Sequence, residues 1–390
     1  MSEKVLSNIW KYTLFLITNK RVFVAIIAVY YLTVPGVNAL GISYILLASN
    51  VTGFLFEIPS GYFADRVGHK KTLVLSRIFA VISSVYFLFA WDLTSLIIAG
   101  IFMSLTNAFT SGTGSAFMHE TLRSVDREKE YAKVMGKAKS LGFSIPLIIS
   151  SLVPFLVGIN MKLPFLIGLI LDLIGLIVSF MFIEPKVKNT TIEEIGLKNF
   201  KKIFTEGRKL GFLKYSLYSG IVGGFLFSIG SFRGPYQEAA GVAVIYFGIF
   251  FALGRLFAAF LLWNSVPMQK IFSLKKFYFW QTLVYILIFL VLGLTANPWV
   301  VVILFALQNG VKWGLTELED SYLLPLIRES NNKAMLLSVG AQLEQLFGGI
   351  ISPVIGWMIF TYSYQNGMLY FDIMLMVVTV PLYYLIFIKK

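Results

Sequence analysis

The feature that most constrains this chain is a succession of apolar stretches, each long enough to cross a lipid bilayer. A helix needs about 20 residues for that crossing. The sequence supplies such stretches at 10–34, 40–63, 72–91, 95–119, 136–158 and 163–183. After a polar interval they resume at 211–232, 241–263, 277–295, 298–322, 335–361 and 367–388. With 57% hydrophobic residues, 14% charged residues and a mean hydropathy of +0.78, too little polar surface exists to cover a water-soluble core. The expectation is an all-α integral membrane protein of twelve transmembrane helices, in two six-helix bundles whose environment is the lipid bilayer.

The charges set the orientation. The net charge is +13, yet the basic residues fall in short clusters between apolar spans, which argues for a membrane protein and against nucleic acid as a partner. One set of alternate connections holds only Lys162 and Arg233. The other holds Arg66, Lys70 and Lys71, the run Arg123 to Lys139, the stretch Lys186 to Lys214, Lys270 to Lys276, Arg328, Lys333 and Lys389-Lys390. By the positive-inside rule the basic loops and both termini are cytoplasmic, in a multi-pass protein of the cell (inner) membrane. No cleavable leader is expected at Met1 to Lys11. The polar stretch divides the chain into an N-terminal bundle 1–184, a cytoplasmic linker 185–210 and a C-terminal bundle 211–390. Cysteine is absent and the histidines are His69 and His119, so thiol chemistry and a histidine-rich metal centre are excluded. No phosphate-binding Gly-x-x-x-x-Gly-Lys-Ser/Thr loop is present, and no nucleophile–base pair suggests an enzyme.

Between the second and third spans the chain reads Gly61-Tyr62-Phe63-Ala64-Asp65-Arg66-Val67-Gly68-His69-Lys70-Lys71, preceded by Phe56-Glu57-Ile58-Pro59-Ser60. This resembles the signature loop of the major facilitator superfamily, and the stretch 53–77 is similar to bacterial, exporter-like members. The resemblance implies the major facilitator fold, with a rocking motion of two bundles about a midplane site. It also implies that Gly61, Asp65, Arg66 and Gly68 latch one state from the cytoplasmic side. Physically, Gly61 would allow close helix approach, Asp65 would take hydrogen bonds or a basic partner, and Gly68 would permit the turn. The matching position in the second half, Asn264 to Lys270, lacks an Asp-Arg pair. Span four has no arginine of the kind common in proton-driven members. Gly142, Pro146 and Pro154 only partly match the span-five pattern of drug/proton antiporters.

Polar groups at membrane depth are costly and mark pathways or partners. Lys20 and Arg21 have two readings: a polar break in span one facing a central cavity, or cations at the interface of a span starting at Lys20. In span ten, Gln308, Asn309 and Lys312 share a helical face beside Trp313. The resemblance makes spans one, four, seven and ten line the cavity, so Asn107 and Ser111 of span four and Tyr30 of span one join them as candidate substrate ligands. Interhelical hydrogen bonding is the alternative for these groups. Nearer the cytoplasm, Glu57, Arg255, Glu317 and Glu344 have three readings: a salt-bridged inner gate, proton carriage by Glu57 and Glu344, or static buried ion pairing. Asp172 is expected to find a serine or backbone partner, and Glu319 and Asp320 to be solvated.

The expected activity is secondary active transport of a small-molecule substrate by alternating access, as a monomer. Export is favoured, as proton-coupled efflux of a drug or metabolite, with an ion gradient (H+) and no bound cofactor. Uptake of a polar or anionic metabolite by a symporter or facilitator is one alternative. A non-transporting membrane receptor or scaffold is another.

Overall fold

The computed structural model describes residues 2–185, 205–328 and 333–389, and the side chains of 2, 3, 317, 333–335 and 337 are not among those described. Every regular element in the described residues is helical. Among the described residues, eleven helices are long and apolar enough to cross a membrane. A twelfth crossing comes from the first span, which is built of two short helices, Asn8–Thr18 and Ile27–Thr33. The remaining spans follow in order. The N-terminal ones are Ala39–Val67, His69–Leu88, Leu93–Arg123, Tyr131–Leu152 and Leu163–Phe180. The C-terminal ones are Phe212–Gly230, Phe247–Trp263, Leu274–Leu294, Pro298–Leu323, Lys333–Tyr362 and Tyr364–Tyr383.

The chain divides into two compact units. The first comprises Met1–Ile27, Val34–Gly36 and Ala48–Ile195; the second comprises Ala28–Thr33, Val37–Leu47 and Gly196–Lys390. Much of the expected linker, 186–204, lies outside the described residues. The two short segments 28–33 and 37–47 count with the second unit, a division no charge or hydropathy pattern signals.

Inside each unit the same pairing recurs. Span one packs on span five, and span three on span six; correspondingly, span seven packs on eleven, and nine on twelve. Span two meets span four through Ser60 Oγ donating to the Ala108 carbonyl at 2.8 Å and Ser104 Oγ donating to Ser49 at 2.6 Å. Its counterpart is the packing of span eight on ten. The chain thus repeats one six-helix plan, as parallel-repeat transporters do.

Lipid offers no hydrophobic drive between helices, so small residues allow the close contacts. A Cβ on Gly142 would lie 2.7 Å from the Leu16 Cβ, joining spans five and one. In the other unit, a Cβ on Gly220 would lie 2.5 Å from the Leu343 Cβ, and one on Gly224 2.8 Å from the Gly348 backbone nitrogen. These positions fix spans seven and eleven at contact distance.

Candidate functional site

In the first unit, span one is interrupted between Thr18 and Ile27. Backbone carbonyls freed at such a break must find donors inside the bilayer. Arg77, in span three and fully buried, supplies them. Its Nη2 donates to the Phe15 carbonyl at 2.5 Å and its Nη1 to the Thr18 carbonyl at 3.4 Å. The guanidinium also lies 4.1 Å from the centre of the Phe15 ring. A cation at a helix C-terminus complements the partial negative charge there.

Asp172 of span six, 1% exposed, balances this cation. It accepts from Arg77 Nη1 at 3.5 Å, from Ser84 Oγ at 2.5 Å and from Arg21 Nη1. The expected serine partner is there, together with two guanidiniums that complete the network. Arg21 is therefore drawn into its own bundle as a structural ion pair, which corrects its assignment as a substrate ligand. Lys20, its neighbour, is exposed. Arg77 was missed by sequence reasoning. Its signal is a lone arginine inside an apolar span, the same signal that singled out Asp172.

Also in the first unit, Ser111 Oγ donates to Glu57 Oε1 at 2.9 Å. Ser111 sits where span four changes direction, between Leu93–Thr110 and Thr113–Arg123, with Gly112 at φ +70°. That positive φ suits glycine alone among common residues. Asn107 and Ser111 are both exposed and lie one turn apart, and Glu57, bonded to Ser111, is part-buried.

The signature loop also differs from expectation in part. Gly68 takes φ +102°, as a tight turn requires. Gly61 is exposed and a Cβ there would meet nothing within 4 Å, so close helix approach is not its role in this structure. Asp65 is exposed on the last helical turn and makes no ion pair among the described residues, while Arg66 packs 5.1 Å from the Tyr62 ring centre.

In the second unit, span ten carries the polar groups. Lys312 Nζ donates to Glu344 Oε1 of span eleven at 3.0 Å. The same ammonium lies 5.2 Å from the Phe227 ring centre and 5.7 Å from that of Trp313. Arg255 of span eight stacks on Trp313 at 4.1 Å and on Phe251 at 5.1 Å. Arg233 approaches Phe251 from beyond span seven at 5.2 Å. Burial pushes the Arg233 guanidinium down to about 10, so it stays cationic at neutral pH. Among the described residues neither arginine has a carboxylate within ion-pair distance. Trp313 is 45% exposed and Arg255 part-buried, so this cationic, aromatic face is reachable.

Three other candidates are not reachable. Gln308, Asn309 and Tyr30 are 2%, 5% and 2% exposed. Asn309 is packed against Gly254, so it fills the contact of spans eight and ten rather than facing a solute. Of the four expected gate residues, Glu57 lies in the first unit and the other three in the second. Glu57 bonds Ser111, Glu344 bonds Lys312, Arg255 stacks on aromatics, and the Glu317 side chain lies outside the described residues. Glu319, expected in solvent, is part-buried; it lines a partly open cavity and accepts from the Tyr278 hydroxyl at 2.7 Å.

Two helical bundles on one plan, with ionisable groups retained at membrane depth, define a polytopic transporter. The sequence profile of the Major Facilitator Superfamily matches residues 12–318, and the chain belongs to that family. It is 27% identical over 226 residues to YxaM, an uncharacterised MFS-type transporter of Bacillus subtilis, covering 56% of each chain. It is 26% identical over 183 residues to an uncharacterised MFS-type transporter of Methanocaldococcus jannaschii, covering 47% of each. The chain therefore matches about half the length of these curated relatives. Its fold is similar to that of the nucleoside transporter NupG, with a TM-score of 0.81 at 12% identity, over 97% of this chain and 99% of the other.

Proposed function

We propose that this transporter is a secondary active carrier of a small polar organic solute bearing an anionic group. The observation that carries the reading is Arg255. Its guanidinium lies between Phe251 and Trp313 without a carboxylate partner among the described residues, and Lys312 flanks the same indole. A guanidinium held by aromatic faces keeps its hydrogen-bonding fork for a carboxylate or phosphate. Burying such a cation inside a membrane protein without a counter-charge is costly, and a bound anion would relieve that cost.

The energy comes from an ion gradient, which we take to be H+, with Glu57 and Glu344 as candidate carriers. The protein works as a monomer in the cell (inner) membrane with both termini in the cytoplasm, a placement supported by the basic alternate loops. Export is the direction we assign, on the likeness of residues 53–77 to bacterial exporters. Energised everted vesicles containing the protein are expected to accumulate one or more labelled organic acids or amino acids from a panel. Accumulation only in right-side-out vesicles would overturn export. No accumulation in either would overturn transport of this solute class.

A further inference from the structure

We propose that the cavity on the span-eleven side of Lys312 is a binding site for a compact primary ammonium group. The cavity, about 190 Å³, lies wholly within the second unit, and its lining includes Ser216, Ser219, Tyr285, Lys312, Glu319 and Glu344. A single water needs only about 10–15 Å³ of such space, so the volume suits a small organic molecule rather than one ion.

Charge identifies the ligand. Lys312 already answers Glu344 at 3.0 Å. Glu319 lines the same cavity, is hydrogen-bonded by Tyr278 and Ser219, and has no cation within ion-pair distance among the described residues. A carboxylate accepts at two oxygens with about four lone-pair positions, so two neutral donors leave room for a charged one.

The second observation is independent of the acids. Ser216 and Tyr285 are each 1% exposed and both line the cavity, yet among the described residues neither Ser216 Oγ nor the Tyr285 hydroxyl has a hydrogen-bond partner. Buried hydroxyls are ordinarily satisfied, and leaving one unmade costs about 1–3 kcal/mol. An ammonium has three donors and no acceptor, so it can bond one carboxylate and two hydroxyl oxygens together. Among the described residues no group of three or more His, Cys, Asp or Glu converges as a metal site, which fits an ammonium better than a metal ion. The site shares Lys312 with the Arg255 face but does not include Arg255 or Trp313, so it survives or fails apart from the anionic reading.

The test is binding of n-propylammonium to purified full-length protein in nanodiscs, read by thermal shift and by calorimetry, with Na+, K+ and tetramethylammonium as comparisons. Saturable binding of propylammonium is expected, with at least tenfold weaker binding of the other three. E319Q is expected to weaken binding at least tenfold. Y285F keeps the ring and deletes the unsatisfied hydroxyl. It is expected to raise the unliganded Tm while weakening propylammonium severalfold, opposite signs that a merely structural hydroxyl would not give. 4-Aminobutyrate distinguishes the two sources of the group. Binding tighter than propylammonium, and lost in R255A, identifies the amine end of a zwitterionic solute; equal binding identifies a free amine. No saturable binding, Na+ binding as tightly, or unchanged affinity in both E319Q and Y285F would overturn the proposal.

Discussion

Arg77 Nη2 lies 2.5 Å from the carbonyl oxygen of Phe15, across from Asp172 at 3.5 Å on the other side of the same guanidinium. One side chain thus closes the broken end of span one and neutralises a buried carboxylate. Asp172 answers two guanidiniums, so without Arg77 it stays paired with Arg21, whereas without Asp172 both cations lose their counter-charge. Removing one partner of a buried ion pair costs about 3–5 kcal/mol because the other charge is left uncompensated. Asp172→Asn is expected to lower stability by about that amount in SDS titration of the purified protein, and adding Arg21→Met should restore part of the loss. If the double variant is no more stable than Asp172→Asn alone, the charge balance is wrong.

Lys312 and Glu344 are coupled more weakly, because their side chains are 15% and 35% exposed. The pair lies between a surface bridge of about 0–1 kcal/mol and a buried one. Lys312→Ala is expected to destabilise by about 1–2 kcal/mol, and the Lys312→Ala/Glu344→Ala double variant by less than the sum of the singles. A double-mutant cycle in thermal unfolding measures this, and simple additivity would show that the pair does not interact.

Gly224 holds spans seven and eleven together by having no side chain. A Cβ there would come within 2.7 Å of the Phe347 Cβ and 2.8 Å of the Gly348 backbone nitrogen, and backbone cannot move aside cheaply. Overpacking of this kind costs about 1–3 kcal/mol. Gly224→Val should therefore reduce the yield of folded protein and its unfolding midpoint. Gly230→Val, at a position where a Cβ meets nothing within 4 Å, serves as the control and should be far milder.

Asp65 carries a charge with no ion pair among the described residues. Its removal should leave the stability of this state within about 0.5 kcal/mol, as for ordinary surface changes. If the loop latches another state of the cycle, Asp65→Asn should still slow transport severalfold in proteoliposomes. Wild-type rates from the variant would remove the latch role.

The helices and their number were legible because hydropathy over 20 residues depends on composition more than on context. The break in span one was legible too, since Asn19-Lys20-Arg21 interrupts an apolar run and Pro35-Gly36 ends it. The direction of side chains was not. Arg21 turns inward because Asp172 lies across the bundle in span six, 151 residues away, and no local pattern records that distance. Asn309 sits one residue from Gln308 and shares its helical neighbourhood with Lys312, yet it packs against Gly254 while Lys312 reaches Glu344. Which face a span shows depends on its partner helix, and pairing is decided by small residues scattered through several spans. Glu319 was misread for the same reason, since proximity to a helix end suggested water and the facing Tyr278 was not visible in sequence.

The central claim is that Arg255, stacked on Trp313, reads an anionic group on the transported solute. The most direct measurement is a thermal-shift screen of the purified protein against organic acids, phosphate esters, amino acids and the neutral amides of each acid, on wild type and Arg255→Ala. Stabilisation by one or more acidic members is expected, with at least tenfold weaker binding of the matching amide and a comparable loss in the variant. Ligands confined to neutral compounds, or acids bound equally well without the guanidinium, would contradict it.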